Sequence, residues 1–250
     1  MKKFLALLTA AVLVVSMTAC ASQPSDPKAL YKEAVAKTGK LESIDMSMKV
    51  TMDMTAAGES ITVTTTTGIQ LDQSASTPKM AMKSNVEVPG QGNVELMMYY
   101  ADGYIYLDSN GQKVKQAASS EDALSGAAGM AVEEIEEKAF KDLKMETKDG
   151  VTTLTFTADG AQMTEYVQTL LASSQTVTSA DELKISDVTG KVTVNKDQYI
   201  TGMTMNIPLT MTVSGQEFTC NLALDITYNN PGQPVNIDFP DFSEYTEIAA

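Results

Sequence analysis

The chain has 250 residues, 43% of them hydrophobic, and a formal charge of −14. All eighteen basic residues are lysines; His, Arg and Trp do not occur. This excludes Ser-His-Asp and Cys-His nucleophilic sites, the usual zinc ligand sets and bidentate guanidinium clamps, and it disfavours nucleic acid, whose phosphates need basic partners.

Residues 1–19 read as a secretion signal. Lys2 and Lys3 precede an apolar run from Phe4 to Val15, which is short for a membrane span, and Ser16-Met17-Thr18-Ala19-Cys20 follows. That ending resembles the bacterial lipobox, with Met17 where Leu is usual. The resemblance implies that Cys20 is diacylated and becomes the mature N-terminus, which places the protein on the extracytoplasmic face of the cell membrane. The alternative is a plain secretory signal with an incidental cysteine. Residues 20–26 then form the lipidated cysteine and its tether, reaching at most about 20 Å.

From residue 27 to 250 a single domain is expected. Asp26-Pro27 starts a helix with Leu30, Ala34 and Val35 as its stripe and Gly39 as its stop. Ile44 to Thr55 then alternates strictly: Ile44, Met46, Met48, Val50, Met52 and Met54 on one side, polar residues on the other. Period two means a strand with one buried face. The alternation returns in Ile61–Leu71, Met80–Val88, Val94–Tyr100, Tyr104–Asp108 and Gln112–Gln116, with Asn110-Gly111 a hairpin signal. Residues 117–142 predict a weak helical segment and a better helix with Val132, Ile135, Ala139 and Phe140 inward. A hairpin follows around Asp149-Gly150, then a helix from Asp159 to Ser173 with Met163, Tyr166, Val167, Leu170 and Leu171 at helical spacing.

Three long strands, Leu183–Val194, Ile200–Val213 and Phe218–Tyr228, complete the domain, and the tail from Val235 adds a short extended piece and an acidic end. Pro208 predicts an edge or bulge in the second of these strands. Cys220, among inward apolar residues, reads as a buried structural thiol without a disulfide partner.

This order of elements resembles the LolA/LppX-type lipoprotein superfamily, and most of all its small Gram-positive members. The resemblance implies an α+β fold in which a strongly curved antiparallel sheet of about eleven strands, a half-barrel, wraps around a few helices. It also implies an apolar cavity between sheet and helices, used by some relatives to carry lipids or lipoproteins; others are sensory or regulatory domains. The superfamily has no invariant site to transfer residue by residue.

The candidate ligand-facing residues are Met46, Met48, Met52, Met80, Met82, Met203, Met205, Leu222 and Leu224, on the inward faces of their strands. Methionine is flexible and polarizable and suits variable apolar partners such as acyl chains, but it also fills ordinary cores. The expected function is therefore a membrane-anchored carrier or binder of a lipid or other apolar ligand, with no enzymatic activity, cofactor or metal. The alternative is a non-catalytic interaction or sensory module that uses the sheet as a scaffold.

Overall fold

The computed structural model describes residues 26–90, 92–128, 134–173, 182–213 and 215–248. The signal, Cys20, the tether up to residue 25 and Val132 lie outside them. The described chain is mostly sheet, open and curved, with three α-helices. Its elements are α1 (Pro27–Thr38), β1 (Ser43–Ala56), β2 (Glu59–Asp72), β3 (Lys79–Val88), β4 (Gly92–Ala101), β5 (Tyr104–Ser109), β6 (Gln112–Ala117) and α2 (Ser120–Ala128). A 3-10 turn Glu137–Ala139 follows, then β7 (Phe140–Lys148), β8 (Val151–Ala158), α3 (Thr164–Ser173), β9 (Glu182–Ile185), β10 (Val188–Val194), β11 (Ile200–Val213), β12 (Gln216–Tyr228) and β13 (Thr246–Glu247).

One 13-stranded sheet has the order β13-β6-β5-β4-β3-β2-β1-β12-β11-β10-β8-β7, with β9 also on β11. The first and last long strands therefore lie side by side at its middle, Met46 opposite Tyr228 and Met54 opposite Cys220. All pairings are antiparallel except β13 on β6. The excess over the eleven expected strands has two sources: the tail contributes β13, and the expected strand Leu183–Val194 breaks at Ser186-Asp187 into β9 and β10.

Pro208 explains where that break falls. The N–H and C=O of a strand residue point to the same neighbour, and the Pro208 carbonyl accepts from the Ser186 N–H at 2.9 Å. The donor that proline lacks would therefore face the interruption, so no ladder bond is lost. Pro208 sits at an irregularity inside the sheet and not at its edge.

The helices are placed largely as the sequence predicts, with two corrections. Asp26 caps α1, its carboxylate accepting from the Ala29 N–H. Asp159 receives the N–H groups of Ala161 and Gln162, but α3 proper begins only at Thr164. The helix expected around Val132–Phe140 is not formed among the described residues: 134–136 are irregular, a single 3-10 turn follows, and Phe140 already belongs to β7. Ile135 and Ala139 are buried nonetheless. The Ile135 N–H donates to the Tyr31 hydroxyl, a side-chain anchor that no local pattern announces.

The main core joins Leu30, Tyr31 and Ala34 of α1, Met163 just before α3, and Val167 and Leu171 of α3 to the inward residues of β1, β8 and β10–β12. At about 1.5–3 kcal/mol per buried large apolar side chain, this cluster is the main source of stability. Two glycines make its close approaches possible. A Cβ at Gly160 would lie 2.1 Å from the Ile185 carbonyl oxygen, and one at Gly190 would lie 2.3 Å from the Phe156 ring. A smaller cluster sets Ala123 and Leu124 of α2 on Leu71, Met80 and Tyr100.

The sheet's two outer limits are closed differently. Edge strand β7 carries Lys141, Asp142, Lys144, Glu146 and Lys148, charges that discourage pairing with another chain. At the other side the tail covers β6. Phe242 stacks on Tyr106 at 3.7 Å, and Tyr99, Phe239 and Tyr245 complete an aromatic cluster on the sheet's outer face. Lys113–Glu244 and Lys115–Glu247 ion pairs and the two residues of β13 then seat the tail on the edge.

Candidate functional site

All nine sequence-predicted ligand-facing residues share the inner face of the sheet. Met46, Met52, Met203, Met205, Leu222 and Leu224 are buried in the main core, with Met205 only 3% exposed. Met82 belongs to the same cluster, Met80 to the one under α2, and Met48 is half-buried at the margin. The face is common, but its cover is not uniform.

Registers set out this face as rows running across β1 to β6. Ile44, Leu71, Met80, Tyr100 and Ile105 form the row under α2; Met46, Ile69, Met82, Met98, Leu107 and Val114 form the next. Then come Met48, Thr67, Ser84 and Leu96, and then Val50, Thr65, Val86 and Val94. In the Met46 and Val50 rows burial declines away from β1. Val63, Val86, Val88, Leu107 and Val114 are half-buried and belong to neither inner-face cluster. Ile61 is 40% and Val94 49% exposed. Within this apolar surface, Thr67 and Ser84 share a hydroxyl–hydroxyl hydrogen bond of 3.2 Å.

The candidate site is therefore an open, largely apolar surface on β2–β6 with Thr65 and the Thr67–Ser84 pair set into it. Sequence alternation marks these residues as inward, but not as uncovered, because α1 and α3 pack over the opposite wing. The outer face differs: a depression of about 600 Å³ there is lined by Lys49, Thr51, Thr155, Thr189, Thr204, Asn206 and Asp225 among others. Cys220 is buried as expected, and burial, with Asp53 adding to it, pushes its thiol pKa up to about 11. It is a poor nucleophile at neutral pH. Among the described residues no three Cys, Asp or Glu side chains converge to hold a metal ion.

A family model, described as "Family of unknown function (DUF6612)", matches residues 26–242. The chain belongs to DUF6612. Its match runs from α1 to the Phe242 stack, so Phe239 and Phe242 lie within the matched residues and Tyr245 and β13 beyond them. No curated protein matches the DUF6612 chain in sequence. Among solved structures it is similar to LprF from Mycobacterium bovis, at 12% identity and a TM-score of 0.41, covering 86% of this chain and 96% of that one. It is also similar to the LolA superfamily protein NE2245 from Nitrosomonas europaea, at 9% identity and a TM-score of 0.21, covering 83% and 93%. The architecture of this DUF6612 chain rests on its own strand order and not on these likenesses.

Proposed function

We propose that the protein is a lipid-anchored, extracytoplasmic, non-catalytic lipoprotein that binds a lipid or other apolar ligand on the inner face of its sheet. The observation that carries this reading is the uneven cover of that face. One wing is sealed by α1 and α3, while Val63, Val86, Val88, Val94, Leu107 and Val114 on the other remain partly open. Large contiguous apolar surface left uncovered marks an interaction site. The neighbouring Met46, Met48, Met82 and Met98 supply side chains that can reshape around ligands of different form. The lipobox-like Ser16–Cys20 supports the membrane address, and the acidic charge weighs against nucleic acid as a partner.

The test is purification from the native host followed by organic extraction and native mass spectrometry. A co-purifying apolar molecule, lost when Val94 and Leu96 are replaced by Asp, supports the reading. Protein that carries nothing and takes up no fluorescent fatty acid overturns it, leaving the sheet as a scaffold for a protein partner.

A further inference from the structure

A second depression on the outer face is bordered by the tail. The tail leaves β12 at Asn229, whose backbone N–H donates to the Asp45 carbonyl at 2.7 Å and whose side-chain amide donates to the Asp45 carboxylate at 2.8 Å. It reaches β4 where Phe239 meets the Tyr99 ring edge-on. Between these points Asn229 and Asp238 join Asp45, Gln70, Ala81 and Tyr99, one row across β1–β4, around a hollow of about 420 Å³. Gly68, between Ser47 and Lys83 in the next row, lines it too.

Gly68 is the unusual member of this set. Glycine weakens a strand interior, and it is found there at bulges, at tight bends, or where a ligand or another backbone comes close. β2 pairs with β1 and with β3 through Gly68 without a register shift, and the φ of Gly68 is not positive. A Cβ on Gly68 would meet no atom within 4 Å, whereas one on Gly190 would lie 2.3 Å from its nearest neighbour and one on Gly202 2.9 Å. Neither a bulge nor a neighbouring backbone accounts for Gly68. What the missing side chain leaves is room in the hollow.

The lining decides what fits. An anion would meet two carboxylates, Asp45 and Asp238, and a Lys83 that is already paired with Glu95 at 2.6 Å. A metal ion would find both Asp45 oxygens accepting amide N–H groups, one from Asn229 at 2.8 Å and one from Gln70 at 3.3 Å. A neutral molecule rich in hydroxyls suits the set, because each hydroxyl donates to a carboxylate or amide oxygen and accepts from an amide N–H. Among the described residues no ring stacks face to face on the half-buried Tyr99, which offers an aromatic wall to the C–H side of a sugar ring. We infer that this hollow is a binding site for a neutral carbohydrate of one or two rings, with Gly68 leaving the room for it. Its volume is that of a small-ligand pocket. The site lies on the opposite face of the sheet from the apolar surface of β2–β6 and does not depend on a lipid binding there.

The test is titration of the full-length protein, in a sugar-free detergent, with D-glucose, N-acetyl-D-glucosamine, maltose and chitobiose, followed by calorimetry and saturation-transfer NMR. At least one of the four should bind with a millimolar or lower Kd. Gly68→Leu fills the hollow and should weaken that binding by about tenfold or more without lowering the denaturant midpoint, since its side chain enters open space. Ala223→Leu, in the other outer-face depression, should leave binding unchanged. Gln70→Ala removes a hydrogen-bonding group without filling space and should weaken binding several-fold, which decides the matter if Gly68→Leu folds poorly. Absence of binding by all four sugars, or binding that neither Gly68→Leu nor Gln70→Ala weakens, overturns the site.

Discussion

The Tyr31 hydroxyl on α1 accepts the backbone N–H of Ile135 at 3.0 Å, across 104 positions of sequence. The Tyr31 ring meets Phe140 edge-on at 5.3 Å, and Phe140 meets Phe156 in the same way. One side chain thus ties the N-terminal helix to the entry of β7. Tyr31→Phe should cost about 1–3 kcal/mol, because a buried donor is left without its partner. Denaturant midpoints measure this.

The same residue gives a pH signature. Burial pushes the Tyr31 phenol up to about 12, the Ile135 hydrogen bond opposes this, and Glu134 adds to it. A raised folded-state pKa means that the contribution is complete below about pH 10 and is lost as pH rises from about 10 to 12. The loss is on the order of 2–3 kcal/mol. Wild-type protein should therefore lose more stability than Tyr31→Phe over this interval. Parallel pH–stability curves for the two would refute the assignment.

Gly190 tests the close packing of β10 against β8. A Cβ there meets the Phe156 ring at 2.3 Å and the Thr204 carbonyl oxygen at 2.7 Å. Gly190→Ala should destabilise by about 1–3 kcal/mol. Phe156→Leu in the same chain should recover only part of that, since the carbonyl contact remains. Full recovery would mean that the ring alone sets the limit.

Met205 and Val94 lie on one face but in opposite surroundings, 3% and 49% exposed. Met205→Trp should cost about 1–3 kcal/mol by overpacking a filled core. Val94→Trp should change stability by less than about 0.5 kcal/mol, as at other surface sites, and alter uptake of a fluorescent fatty acid. If Met205→Trp is tolerated and itself abolishes uptake, the ligand lies deeper, among the methionines.

The tail contributes through Phe242. Phe242→Ala removes a stack of 3.7 Å on Tyr106 and edge contacts to Tyr99 and Tyr245. The expected loss is about 2 kcal/mol, from the aromatic pairs and the apolar area together. Amide exchange at Ile248, whose N–H donates to the Lys115 carbonyl, should quicken while β11 is unchanged. Unchanged exchange at Ile248 would show that β13 holds the edge alone.

Alternation made the strands legible. Ile44–Thr55 differs from β1 by a single residue at each end, and Met203, Met205, Ile207 and Leu209 face the core as their spacing requires. Turn chemistry was legible too: Asn110-Gly111 and Asp149-Gly150 both take positive φ. Among the described residues 134–140 the expected helix is replaced by a 3-10 turn and the start of β7, with Ile135 and Ala139 held by α1 and the sheet, so their spacing reflects tertiary burial and not a helical stripe.

What the sequence by itself determined is which side chains turn inward and where the chain reverses. Only the tertiary structure decided that β1 lies beside β12, that the tail crosses to β6, and that α1 and α3 cover one wing while leaving Val94 open. The reason is physical. A period of two reports the two faces of a strand, and a turn reports its immediate neighbours. Which distant strand pairs with it, and what packs above it, depends on the joint packing of segments such as Met46 and Tyr228, far apart in the chain and opposite one another in the sheet.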